Sequence, residues 1–64
     1  MEREWLIKRR EAKNMTQIDV AKEVGITQPT YCNIENGKTN PSVETAKAIA
    51  RVLHFRWTEF FPDE

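Results

Sequence analysis

Sixty-four residues are enough for one domain and no more, and a chain of this size buries only about 60% of its unfolded surface. Ten basic and ten acidic side chains cancel, so net charge argues neither for nor against a polyanionic partner. The lone cysteine, Cys32, excludes an internal disulfide, no spacing suits a metal, and no apolar run could span a membrane or act as a signal peptide, so a reducing cytoplasm is expected.

No stretch alternates apolar and polar like a strand, and there is no repeat or low-complexity tract. Turn residues divide residues 1–64 into five helix-sized pieces, which predicts a compact all-α five-helix bundle. The first, about residues 2–13, has weak periodicity: Trp5, Leu6 and Ile7 are consecutive, with Ala12 alone beyond them. Asn14 is a good left-handed terminator. The second opens on Thr16, whose partner Asp19 three residues on completes a capping box. Val20, Ala21 and Val24 form its apolar face, and Gly25 ends it.

The third piece is capped by Thr27 and places Pro29 at its second helical position, where a missing N–H costs no helix bond. Ile26 and Tyr31 are spaced as a hydrophobic staple, Ile34 continues the inward face, and Gly37 closes the helix. After the loop KTNP, Ser42 caps a fourth helix. Its apolar face, Val43, Ala46, Ile49, Ala50 and Leu53, is the strongest amphipathic signal in the chain. A short fifth element, about 57–61, carries Trp57, Phe60 and Phe61 and stops at Pro62.

Pieces two and three are short, separately capped, and joined by a tight glycine turn. That is the form of a helix-turn-helix over about 16–36, with small Ala21 permitting close approach. The spacing fits an ordinary helical hairpin as well as a DNA-binding unit.

The residues themselves add a second clue. No charged side chain lies between Thr27 and Asn33, although 31% of the chain is charged. Glutamine and asparagine can bind adenine bidentately, and proline can meet a thymine methyl, so Gln28, Pro29 and Asn33 have the chemistry of base readers. Gln28 and Asn33 are slightly more than one turn apart, which lets both face a groove while Tyr31 and Ile34 face the core. The plain alternative is that they are solvated helix positions. No arginine is present there to grip guanine, so A·T-containing half-sites are expected.

From about Leu6 to Phe61 the chain resembles the phage-repressor and Cro-like helix-turn-helix family (the XRE family) of DNA-binding domains. The resemblance is carried by Met15-Thr16-Gln17, Val20-Ala21, Val24-Gly25-Ile26-Thr27, Ile34-Glu35-Asn36-Gly37-Lys38 and Asn40-Pro41-Ser42, in order and without gaps. It implies that Gln17 contacts a phosphate while its amide leans on the recognition helix. It also implies that Gln28, Pro29 and Asn33 face base edges, with Thr27 and Cys32 flanking them. The same resemblance implies that Lys38 and Thr39 hold phosphate through side chains and backbone amides, and that Arg10 pairs with Glu35 between helices one and three.

Some positions depart from the pattern. Arg9 stands where an aliphatic residue is common, His54 replaces a glycine after helix four, Arg56 replaces a good cap, and Ile18 replaces a polar residue beside the DNA face.

The expected function is sequence-specific binding of double-stranded DNA by a transcriptional repressor, as a homodimer on a two-fold-symmetric operator with half-sites about 34 Å apart. Three large aromatics near the C-terminus, Trp57, Phe60 and Phe61, are the candidate dimer contacts, with the acidic end Pro62-Asp63-Glu64 away from DNA. An enzyme is excluded for want of a catalytic set, and no cofactor is implied. His54 stands alone and is no metal site; Cys32, on the DNA-facing side, is either a plain small residue or a redox switch, and no sequence feature activates its thiol. The rival reading is an antitoxin-like module whose main partner is a protein, such as an antirepressor.

Overall fold

In a computed structural model, which describes residues 2–61, the chain folds as four α-helices and one 3₁₀ turn. The helices are α1 (Glu4–Ala12), α2 (Gln17–Val24), α3 (Gln28–Asn36) and α4 (Val43–Leu53), and the turn is Trp57–Phe60. The expected fifth helix is thus a single 3₁₀ turn. Its preceding residue, Arg56, supplies no side-chain cap, and four residues are too few to propagate an α-helix unaided. The candidate terminator Pro62 and the acidic residues Asp63 and Glu64 lie outside the described residues.

Local signals set the three central helices. The Thr16 hydroxyl accepts from the Asp19 amide at 3.1 Å, and the Asp19 carboxylate accepts from the Thr16 amide at 3.0 Å, closing the capping box of α2. Gly25 ends that helix in the left-handed region at φ +90°, where a side chain would be strained even though space is open around it. Thr27 and Ser42 cap α3 and α4 by accepting the Thr30 and Thr45 amides, without the reciprocal bond. His54 does adopt the left-handed turn of the glycine it replaces, at φ +63°, and Asn14 turns the chain after α1 at φ +59°.

α2 packs on both α3 and α4, α1 lies across α3, and the 3₁₀ turn folds back on α4. Leu6, Val20, Ala21, Tyr31, Ile34, Ala46, Ile49, Leu53 and Phe60 fill the centre. At the α1 end, Trp5 meets Phe55 and Phe60 edge-on with ring centroids 5.3 and 5.2 Å apart. Such pairs add about 0.5–1.5 kcal/mol beyond their area. Arg9 does not weaken this core, because it lies outside it. Its guanidinium covers the Phe55 ring at 5.6 Å and pairs with Glu59 at 3.1 Å.

Val43, expected on the apolar face of α4, is 48% exposed. It is the first residue of the helix.

Candidate nucleic-acid interface

α3 presents two unlike faces. Tyr31, Ile34 and Glu35 are buried, whereas Pro29 and Thr30 are exposed and Gln28, Cys32, Asn33 and Asn36 are half-buried. At about 100° per residue, Gln28 and Asn33 lie about 140° apart, at the two margins of the outer strip. Cys32, Pro29 and Asn36 lie between them. Asn36, which the sequence reading did not single out, donates to the Cys32 sulfur at 3.4 Å and completes the strip one turn beyond Cys32.

Behind this face sits a buried carboxylate. Glu35 is 1% exposed, the only buried charged residue among those described, and Arg10 meets it through Nε at 2.7 Å and a second nitrogen at 3.4 Å. The Arg10 guanidinium also donates to the Met15 carbonyl at 2.9 Å. The hydrogen bond to Glu35 raises the Arg10 pKa further, against the opposing effect of burial. The neighbouring Tyr31 hydroxyl is buried with no hydrogen-bond partner, and its pKa is pushed up, first by burial and then by Glu35. The Tyr31 ring is fully buried and is among the largest side chains of the core.

The polarity of this cluster propagates to the surface. The Glu35 carboxylate only accepts, so Gln17 turns its Nε2 toward it, at 2.9 Å. The Gln17 carbonyl oxygen must then face the other way. It receives the Nε2 of Gln28 at 2.7 Å. One amide hydrogen and the carbonyl oxygen of Gln28 are left without a partner among the described residues, a donor and an acceptor side by side. A buried ion pair thus sets which way round a half-exposed glutamine stands. Asn33, at the other margin, makes no side-chain hydrogen bond among the described residues.

The remaining candidates are disposed around α3. Thr27 uses its hydroxyl locally, accepting from the Thr30 amide and donating to the Thr30 hydroxyl at 2.8 Å. Lys38 and Thr39 are exposed in the loop after α3. Their backbone amides are not open, however: both donate back to the Asn33 carbonyl, at 3.0 and 3.5 Å. Any phosphate held there must rely on the side chains. Open backbone donors remain at the start of α2, where the first amides have no intrahelical acceptor, and Ile18 stands beside them 57% exposed.

Sequence reasoning missed Arg3. Its guanidinium donates to the carbonyls of Ile34 at 2.6 Å and Thr39 at 3.2 Å, and to the Asn40 side chain at 2.5 Å. Its backbone amide donates to the Glu35 carbonyl at 2.7 Å. One side chain ahead of α1 therefore pins the end of α3 to the loop carrying Lys38 and Thr39, and burial lowers its pKa.

Of the aromatics considered for a dimer contact, Phe60 must be withdrawn: at 4% exposure it belongs to the core. Trp57 is half-buried, and Phe61 remains 38% exposed. Arg9 pairs with Glu59, and the Lys13 ammonium meets the His54 ring nitrogen at 3.1 Å. Among the described residues no cluster of His, Cys, Asp or Glu could hold a metal, and no helix is long and apolar enough to cross a membrane.

Two helices joined at a left-handed glycine, the second with an uncharged outer strip braced from behind, define a helix-turn-helix domain. The chain belongs to the helix-turn-helix family of DNA-binding transcriptional regulators, whose family model matches residues 6–60. It is 48% identical over 63 residues to YqaF, an uncharacterised HTH-type transcriptional regulator of Bacillus subtilis, covering 98% of this chain and 83% of that protein. An uncharacterised HTH-type transcriptional regulator of Archaeoglobus fulgidus is 45% identical over 75% of this chain and 68% of its own length. A third, MJ0272 of Methanocaldococcus jannaschii, is 38% identical over 75% of this chain and 73% of its own. No solved structure matches the chain significantly.

Proposed function

We propose that this regulator is a repressor that inserts α3 into the major groove of a two-fold-symmetric operator as a homodimer, with Gln28, Pro29 and Asn33 reading base edges. The observation that carries the reading is the hydrogen-bond chain from Glu35 through Gln17 to Gln28. It leaves Gln28 with a donor and an acceptor side by side, the complement of adenine N7 and N6. A solvated glutamine needs no such fixing, whereas a base reader gains from having its amide oriented before binding.

The division of labour follows from the chemistry. Lys38 and Thr39 side chains, the second Nε2 hydrogen of Gln17 and the first amides of α2 serve phosphates, which position the domain without carrying sequence information. Thr27 serves mainly to cap α3. Uncharged side chains are then free to discriminate bases. A dimer doubles the reading surface, and Phe61, with Trp57 beside it at 6.0 Å between ring centroids, is the contact we assign to it. A dimer seated across an operator represses by occupancy alone, which suits so small a domain.

Selection of bound duplexes from a random pool, followed by salt-dependent gel shifts, tests this. The selected sites should be two-fold symmetric with A·T pairs in each half. Gln28→Ala should lower discrimination at one base pair by about 1–3 kcal/mol, while Lys38→Ala should weaken all duplexes alike and flatten the salt slope by about one. No duplex binding at low salt would sink the reading.

A further inference from the structure

A concavity of about 440 Å³ lies between α4 and the 3₁₀ turn, with no residue of α3 among its walls. Its walls combine three cations, Lys47, Arg51 and Arg56, with Phe55, Trp57 and the Ala50 methyl. In a chain of balanced charge this is a local excess of one sign. None of the three cations pairs with a carboxylate among the described residues, and the nearest acid on the turn, Glu59, is drawn off to Arg9 at 3.1 Å. Lys47 instead holds its ammonium over the Trp57 ring at 5.2 Å, so the wall is both cationic and aromatic.

We propose that this groove docks an acidic segment of a partner protein, an extended peptide with an aromatic or large aliphatic anchor between carboxylates. Lys47 and Arg51 are one turn apart on the same face of α4, a rise of about 6 Å. Alternate residues of an extended peptide are separated by about 6.8 Å, so acids two apart reach both cations while the residue beyond them turns to Trp57 and Phe55. Arg56, also in the lining, meets a third carboxylate. Tryptophan and arginine together in a concave patch are the residue types that dominate binding energy at protein interfaces.

A nucleic-acid backbone fits less well, because it offers charge but no apolar group for the carbon-rich floor. The groove is also set back from the reading face. Arg51 lies about 12 Å along α4 from the helix start that follows the Lys38–Thr39 loop. The groove shares Trp57 with the dimer contact assigned above but no residue with the base-reading strip of α3, so groove binding and base reading can fail separately.

The test is an amide and indole NMR titration of the whole chain with two eight-residue probes. One alternates glutamates around a central phenylalanine, and the other has lysines for the glutamates. The acidic probe should shift the Trp57 indole and the amides of Lys47, Arg51 and Phe55, and the basic probe should not. Lys47→Glu with Arg51→Glu should weaken the acidic probe at least about tenfold, leaving the melting temperature and the rank order of duplexes unchanged while lowering affinity for every duplex alike through its added negative charge. Lys47→Gln with Arg51→Gln serves as the milder check.

Three outcomes overturn the proposal. One is equal shifts from both probes, or none at millimolar concentration. Another is saturation of the same resonances by duplex DNA, which makes the groove a nucleic-acid surface. The last is a changed monomer–dimer equilibrium in the charge-reversed variant without any probe binding, which makes it an interface between copies.

Discussion

α1 is held on its two sides by opposite kinds of force. Toward α3 it offers Arg10, whose bonds to Glu35 and the Met15 carbonyl have fixed lengths and directions. Toward the 3₁₀ turn it offers Trp5, which meets Phe55 and Phe60 through broad, non-directional aromatic contact. Aromatic packing stabilises a position without dictating the orientation of any polar group. The ion pair does dictate it, because an acceptor-only carboxylate fixes Gln17 and through it Gln28. Both sides stabilise the fold, but only the polar side of α1 also fixes how an amide on α3 is presented.

Glu35→Ala breaks the polar side most severely. It strands the Arg10 guanidinium, 14% exposed at its side chain, and should cost about 3–5 kcal/mol in denaturant unfolding. Replacing both partners, Arg10→Met with Glu35→Met, should recover most of that stability. It should not recover base discrimination, since nothing then orients the Gln17 amide. If the double variant keeps full sequence preference, the relay to Gln28 has no role in reading. On the aromatic side, Phe60→Leu should cost about 1 kcal/mol by repacking, well below the loss from truncation to alanine, and leave the preference among duplexes intact. A changed preference in Phe60→Leu would erase the proposed contrast.

The same contrast decides how much was legible in the sequence. The boundaries of α2, α3 and α4 could be read because their determinants are local: Thr16 with Asp19, Thr27, Ser42, Gly25 and Gly37 each act within a few residues. α1 was read too long at both ends, since its start is fixed by Arg3 bonding to a carbonyl of α3, and such an acceptor has no sequence signature. The last element was read as a helix from its aromatics alone, without a cap to support it. At the site, Gln28 and Asn33 stood out by residue type. Arg3 did not, because two of its three side-chain partners are backbone carbonyls 31 and 36 residues away.

Arg3 is where the two sides meet. Its guanidinium lies over the Phe60 ring at 5.6 Å while its nitrogens hold Ile34, Thr39 and Asn40. Arg3→Ala should cost about 1–2 kcal/mol of stability, the scale of a few partly exposed hydrogen bonds. Duplex affinity should fall for every sequence alike, as the Lys38–Thr39 loop loosens. Arg3→Lys should rescue little, because an ammonium lacks the planar fork that spans several acceptors. Full rescue by lysine would show that only charge matters there.

The smallest expected effect lies at the start of α2, on neither side of the contrast, and it calibrates the rest. The backbone amide of Thr16, and then its hydroxyl, hold the Asp19 carboxyl below its ordinary value of 3.8. A group whose folded pKa is depressed contributes stability that is present above its unfolded pKa and lost as pH falls through the folded one. Unfolding measured from neutral pH into acid should therefore show an acid limb beginning near pH 4, shallower in Asp19→Asn than in the native chain. Asparagine still caps through its carbonyl oxygen but cannot titrate. Equal slopes in the two proteins would mean that the capping box contributes to the shape of α2 and not to its pH dependence.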